Sequence, residues 1–324
     1  MGMAELFTAL DRAGWTERLR RNALMAPYTS YCIGGPADLL LEAVSVDEIV
    51  RAVGLARASG VPVTVLGGAS NVLVADEGIR GLVILNRAVG FERLAGEERV
   101  SVQSGTSLRK LSRWAIAQGL AGLEWAIGVP GSLGGALVGN AGAYGGSMSE
   151  IVERVQVLTS GGDAAWWSVA DMAYRYRSSR IKMIADRAER PIVLRAELQL
   201  SASDPEVLSR IAAGYNEQRR QRTPSGQCAG SVFKRTLQFP AGFLIDQAGL
   251  KGMRLGGAQV SEQHANFIMN CGSASASDVQ GLIEQVQATI WEQYAQRLEP
   301  EIELIGAWPM DKDREGAAQE EYHG

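Results

Sequence analysis

The stretch IGVPGSLGGALVGNAGAYGG, residues 127 to 146, holds eight glycines in twenty positions, and no charged residue occurs from Trp125 to Ser149. Such a run has few side chains to bury, so its place in a fold must come from backbone contacts. A membrane span is a poor reading, because Pro130, Asn140 and the serines interrupt it and few of its residues are large and apolar. Gly135 and Gly139 do form a GxxxG pair, but that motif means little outside an apolar helix. Glycine admits positive φ and lets backbone N–H groups approach a ligand closely, so successive N–H groups can cradle an anion without a lysine. A second such loop, Gly67-Gly68-Ala69-Ser70, opens GGASNVLVADEG, and a diphosphate is the natural guest. Tight structural turns would explain any single glycine pair; the density of the long run favours a ligand. Neither loop spells the Rossmann fingerprint or a P-loop, so a dinucleotide bound here needs another fold.

The chain has 324 residues, 46% of them hydrophobic, with a net charge of −4, enough for two or three packed units. That charge argues against a general nucleic-acid or membrane-surface binder. Cys32, Cys228 and Cys271 are odd in number and far apart, which suits reduced thiols, and with only His264 and His323 a metal centre is not expected. The start, MGMAELFTALDRAG, lacks the basic and apolar pattern of an export signal, so a cytoplasmic location is expected.

Residues 38 to 86 read as an α/β unit. The strand DLLLEAV leads to a helix capped by Ser45 and stopped before Gly60; VPVTVLGG follows as a buried strand, then GLVILN. From Phe91 the pattern becomes α+β, with hairpins in FERLAGEERVSVQSG and RVQVLTSGGDAAWWSV, a helix in SLRKLSRWAIAQ ended by Gly119, and a strand in IVLRAELQL. A boundary near SASDPEVL puts Ser203 or Asp204 at the cap of a helix reaching about Arg222. Beyond it come a short helix in AGFLIDQAG, a long amphipathic one with Val279, Leu282, Ile283, Val286 and Ile290 on its apolar face, and a last strand in PEIELIGA. The predicted units are 1–88, 89–203 and 204–308, with 309–324 as a disordered tail.

Three stretches carry charge that chemistry could use. Between Gln218 and Ile245 lie Arg219, Arg220, Arg222, Lys234 and Arg235 and not one acid, which makes a local well for an anionic substrate. A helix C-terminus would account for the first three. YRYRSSRIK, residues 174 to 182, groups cations around small hydroxyls, and in LEPEIELIG the residues Glu299, Glu301 and Glu303 alternate with apolar ones to share one strand face.

The motifs YTSYCIGGPAD, LGGASNVLV, IGVPGSLGGALVGNAGAYGG, YRSS, GSVFK, LIDQAGLKG, HANFIMN and LEPEIELIG occur in the order and spacing of the UDP-N-acetylenolpyruvoylglucosamine reductase family, which the chain resembles from about residue 27 to 306. The resemblance implies an α+β fold: a two-part FAD-binding domain of the vanillyl-alcohol-oxidase (PCMH) type followed by a smaller α+β substrate-binding domain. It implies the activity too, reduction of the enolpyruvyl sugar nucleotide to UDP-N-acetylmuramate for peptidoglycan.

For the site, the resemblance implies that Gly67, Gly68, Ala69, Ser70, Asn71 and Val72, with Gly128, Val129, Pro130, Gly131, Ser132, Gly134 and Gly135, hold FAD, supported by Tyr31, Ile33 and Gly34 of YTSYCIGG. Arg177 matches the family's active-site arginine, Ser231 its proton donor and Glu301 its acid. NADPH would reduce FAD and leave, hydride would pass from flavin N5 to C3 of the enol ether, and Ser231 would protonate C2. Asn140, Tyr144, Lys234, Arg235 and Asn266 are the expected substrate contacts. The chain departs from the familiar pattern at Arg235-Thr236, where Asn-Pro usually follows GSVFK, and lacks an extra loop bearing a clamping tyrosine, so it resembles the shorter type. With no histidine near either glycine loop, FAD is expected to be noncovalent, Cys32 being the one residue to check. No metal, nucleic acid or membrane is expected, and the chain is read as a monomer or weak oligomer. Another flavin oxidoreductase of this fold, acting on a sugar or lactone, and a non-catalytic nucleotide-sugar sensor are the rival readings.

Overall fold

In the computed structural model, which describes residues 2–94 and 98–308, the first unit is a four-stranded sheet. Its order is Leu19–Leu24, Pro36–Ala43, Ile79–Asn86, Val63–Leu66, with the last three strands parallel and the first antiparallel. The crossover is the helix Val46–Ala58. Ser45 Oγ accepts its Glu48 N–H at 3.2 Å, Asp47 and Glu48 sit in its first turn, and Gly60 follows at φ +66°. These are the local signals that start and stop a helix. Ile49, Ala52, Val53 and Ala56 bury its apolar stripe against Leu39, Leu41, Leu82 and Ile84. The strand Val63–Leu66 differs from expectation: it is the sheet's edge and mostly half-buried, because one side of it faces a cavity.

The second unit is a five-stranded antiparallel sheet in the order Ala164–Ser168, Val152–Leu158, Ile192–Gln199, Arg99–Gln103, Phe91–Arg93. Both predicted hairpins are present, one turning through Gly162 at φ +96°; residues 95–97 of the other turn lie outside the described residues, as does the predicted tail from 309 onward. Val100, Val102, Val155, Val157, Ala196 and Leu198 alternate inward, and Leu111 and Ala115 of the helix Leu108–Ala117 cover them.

The C-terminal block packs the helices Ala241–Gln247 and Ala276–Tyr294 with a small sheet of Arg254–Leu255, Ala258–Val260 and Ile268–Asn270. Val279, Leu282, Ile283, Val286 and Ile290 form its core, as their spacing predicts.

Two elements cross the expected boundaries. The helix Pro205–Arg222, capped by Asp204 as read, packs through Leu208 and Ala212 on Ile116 of the second unit rather than on the block that follows it. The last strand, Glu303–Ile305, pairs in parallel with Val72–Val74 of the first unit. The first unit and the block are further joined by Asp76, whose carboxylate accepts the N–H groups of Ala276 and Ser277 at the start of the long helix, and by Asn270 Nδ2, which donates to Tyr31 O at 2.9 Å. Among the described residues no helix is long and apolar enough to cross a membrane, no cluster could hold a metal ion, and the cysteines are free.

Candidate active site

The three units meet around one cavity of about 840 Å³. Its walls include the strand Val63–Leu66, both glycine loops, Arg177, Lys182, Arg190, Arg219, Ser231, Glu301 and Glu303.

The two loops lie face to face at very short range. A Cβ on Gly67 would sit 1.9 Å from Ser132 Oγ, and one on Gly68 2.8 Å from the Cα of Gly131. Side chains at these points would push the loops apart. The N–H groups of Gly68, Ala69, Ser70, Gly131 and Ser132 donate to no acceptor among the described residues, although these residues line the cavity. Unmet backbone donors on a concave wall are what a diphosphate would satisfy. Gly67 through Val72, Val129, Pro130, Gly131, Ser132, Gly134 and Gly135 all line the cavity.

Gly128 does not; a Cβ there would be 2.5 Å from Arg219 Cδ, so this glycine makes room for the arginine. Tyr31, Ile33 and Gly34 stand behind the first loop. Ser30 N–H donates to Ala69 O at 3.2 Å, and Tyr31 and Ile33 are buried in the core of the C-terminal block. Burial also pushes the Tyr31 phenol upward.

Ser231 and Glu301 of the C-terminal block are brought together with Arg177 of the second unit. Glu301 N–H donates to Val232 O at 2.7 Å and Lys234 N–H to Glu299 O at 2.9 Å, which sets the segment after Ser231 alongside Glu301. Asn71 of the first glycine loop holds the same strand from the other side, its Nδ2 donating to Glu301 O at 3.0 Å and its own carbonyl accepting from Glu303 N. Arg177 Nε lies 2.9 Å from Glu301 Oε1, and Arg177 Nη2 donates to Gly142 O at 2.6 Å. The Ser231 hydroxyl has no partner among the described residues and lines the cavity.

Glu301 and Glu303, two residues apart, are pushed in opposite directions. Burial raises the Glu301 carboxyl above its ordinary range, and the nearby charges of Arg177, Lys182 and Lys234 only partly offset this. Burial would raise Glu303 as well, but Arg187, Lys182 and Arg190 together hold it below its ordinary range. Glu303 pairs with Arg187, with Arg190 Nη1 at 3.1 Å and with Lys182 Nζ at 3.8 Å. Lys182, itself lowered by burial, also donates to Glu301 O at 3.4 Å. Sequence reasoning missed this cluster. Arg187 and Arg190 carried no motif, and their partner is more than a hundred positions away.

The expected substrate contacts fare differently. Asn140 and Asn266 do not line the cavity; both are buried, with their amides occupied by backbone. Asn266 brackets Phe233, accepting from its N–H at 3.0 Å and donating to its carbonyl at 2.9 Å. Asn140 donates to Arg175 O at 3.1 Å and accepts from Ser149 N–H at 3.0 Å. Tyr144 stacks on Tyr215 with ring centroids 4.6 Å apart and also stays outside the cavity lining. Lys234 pairs with Glu299 and Arg235 is exposed. Of the five cations in the basic segment only Arg219 reaches the cavity, and burial lowers it.

Comparison with known proteins bears directly on this arrangement. Residues 37–168 match the model described as FAD binding domain, and residues 221–305 that described as UDP-N-acetylenolpyruvoylglucosamine reductase, C-terminal domain. The UDP-N-acetylenolpyruvoylglucosamine reductase of Bacillus subtilis (strain 168) is 42% identical over 288 residues, covering 88% of this chain and 93% of that one. The protein of that name from Synechococcus sp. (strain JA-3-3Ab) is 40% identical over 294 residues, 90% of this chain and 92% of the relative. Among solved structures, the UDP-N-acetylenolpyruvylglucosamine reductase of Thermus caldophilus superposes with a TM-score of 0.75 at 35% identity, covering 90% of this chain and 99% of that one.

Proposed function

The chain belongs to the UDP-N-acetylenolpyruvoylglucosamine reductase family of FAD-dependent oxidoreductases, and on that premise we propose that it reduces the enolpyruvyl group of UDP-N-acetylenolpyruvoylglucosamine at the expense of NADPH, in peptidoglycan synthesis. The observation that carries this reading is the Arg177–Glu301 pair beside an unpartnered Ser231, on the wall of a cavity that two facing glycine loops also line. When bound, FAD supplies the hydride chemistry, accepting from NADPH and giving to C3 of the enol ether. The unmet N–H groups of Gly68, Ala69, Ser70, Gly131 and Ser132 are suited to its diphosphate.

Hydride addition at C3 leaves negative charge on C2 and the adjoining carboxylate. Arg177 supplies fixed positive charge to that region; it forms an ion pair with Glu301, whose Oε1 lies 2.9 Å from Nε but is not aligned to accept its hydrogen bond, and Nη2 donates to Gly142 O, while Nη1 has no hydrogen-bond partner among the described residues and is left for the ligand. A charge held in place beforehand costs little reorganisation when the transition state forms. Ser231 gives the proton to C2. A serine is a weak acid, but an enolate is a strong enough base to take its proton, and no histidine is needed as it would be in a hydrolase. The free cysteines suit a reducing cytoplasm.

The deciding experiment is to reduce the FAD-loaded protein with NADPH without oxygen and then add the enolpyruvyl sugar nucleotide. Return of the yellow colour with formation of the lactyl product supports the reading, and a flavin that stays bleached sinks it.

Glu301 must be charged to hold Arg177, so the rate of enol-ether reduction falls as pH drops through its raised pKa. The acid limb of the profile is expected above the ordinary glutamate range. Arg177→Gln removes a charge that favours the carboxylate, so the Glu301 carboxyl, followed directly by NMR or infrared titration, should titrate at higher pH than in the parent, while the residual activity loses the acid limb. A carboxyl that titrates unchanged or lower, or an acid limb that survives in the variant, would sever the two residues functionally.

A further inference from the structure

We propose that Asn140 is a positioning residue for Arg177: its amide fixes the turn on which the arginine rides, and it does not touch substrate. The proposal rests on the reading of Arg177 as the charge that serves the reaction. Arg177 occupies a tight turn in which Arg175 and Ser178 each donate an N–H to the other's carbonyl at 3.1 Å. Within that turn Arg177 has φ +54°, a left-handed conformation that costs a side-chain-bearing residue free energy and persists only when neighbours hold it.

The neighbours that hold it come from the second half of the glycine run. Asn140 Nδ2 donates to Arg175 O, the carbonyl at the first corner of the turn. That carbonyl is already an acceptor for Ser178, so Asn140 takes up its second lone pair. Ser179, one residue past the turn, donates its hydroxyl to Val138 O at 2.7 Å, and Gly142 O accepts from the guanidinium itself. Residues 138 to 142 thus grip the turn before, at and after Arg177. Asn140 is 8% exposed and itself left-handed at φ +43°, with its carbonyl oxygen tied to Ser149 N–H, so it is a rigid bracket. A general structural role would not require every one of these bonds to converge on one turn.

Two substitutions separate the amide from the backbone. Asn140→Gly suits the positive φ and deletes the side chain; Asn140→Asp keeps the acceptor for Ser149 and places an oxygen against Arg175 O. In both, FAD content and flavin reduction by NADPH should match the parent, while reoxidation by the enolpyruvyl substrate slows by about 10- to 100-fold in kcat with KM little changed, the cost expected of a catalytic group displaced by about 1 Å. The decisive arm repeats Asn140→Gly in an Arg177→Ala background. If Asn140 works through Arg177, its removal there costs less than about twofold, because neighbours in one unit are not additive. An equal loss in both backgrounds, a rise in KM at constant kcat, or loss of FAD by both single variants would each overturn the proposal. If Arg177→Ala alone leaves reoxidation untouched, the reading of Arg177 falls and takes the proposal with it.

Discussion

Ser231→Ala should slow reoxidation of the flavin by the enolpyruvyl substrate by about 10²- to 10⁴-fold, the usual cost of losing a general acid, while leaving its reduction by NADPH near the parent rate. The asymmetry follows from the chemistry assigned to each half. Transfer of hydride from NADPH asks for no proton from Ser231; completing the second half does. The hydroxyl lines the cavity without a partner among the described residues, so its removal leaves no buried donor or acceptor behind and the fold should tolerate it. Stopped-flow absorbance of the flavin reads the halves separately. Equal collapse of both would give Ser231 a different role, and retention of both would remove it from the chemistry.

The second large effect is expected on stability, at Glu303→Gln. The Glu303 side chain is 19% exposed and is shared by Arg187, Arg190 and Lys182. Neutralising it leaves three cations crowded in a partly buried wall, and removing one partner from a buried ionic group costs on the order of 3 kcal/mol. The pH dependence has a definite sign. Burial alone would raise this carboxyl, but the three cations outweigh burial and depress it, so its stabilising contribution is complete above its unfolded pKa and is lost as pH falls through the folded one. The gap between parent and variant, measured by denaturant unfolding of the FAD-loaded proteins, should therefore be widest near neutrality and close on acidification. A variant as stable as the parent at neutral pH would mean that the cluster is held together by something other than this carboxylate.

The neighbouring Glu301 shows why the pair cannot be told apart from sequence. Both sit in LEPEIELIG, both alternate with apolar residues, and each could have been the acid of the site or a solvated side chain. One faces the guanidinium of Arg177, the other three cations whose positions depend on how the segment 180–193 folds back. The resemblance to the family singled out Glu301, but it carried no information about Glu303.

The long glycine run divides in a way that the residues only hinted at. Its first half was legible: glycine density without charge implied a backbone surface open to an anion, and residues 129–132, 134 and 135 line the cavity opposite the loop at Gly67. Its second half was read as facing the substrate, and Gly139, Ala141, Gly142 and Ala143 do line the cavity, but Asn140 and Tyr144 do not. Gly142 and Gly146 are also small because a hairpin closes there on itself and on Trp125, whose ring would lie 2.3 Å from a Cβ at Gly146. Asn140 spends its amide on the arginine turn. Side-chain identity announces a hydrogen-bonding capacity but not which partner uses it.

Helix caps at Ser45 and Asp204, the apolar stripe of the helix Ala276–Tyr294 and the alternation in the antiparallel strands follow from residues within a few positions of one another. Propensity, periodicity and capping act at that range, so the chain's own order was enough to read them. The return of Glu303–Ile305 to Val72–Val74, the seat of the helix Pro205–Arg222 on Ile116, and the meeting of Arg177, Ser231 and Glu301 depend on surfaces that exist only once the three units have packed. Their partners lie tens to hundreds of residues apart, and with no local pattern linking them, packing and the pairing of buried polar groups chose among them.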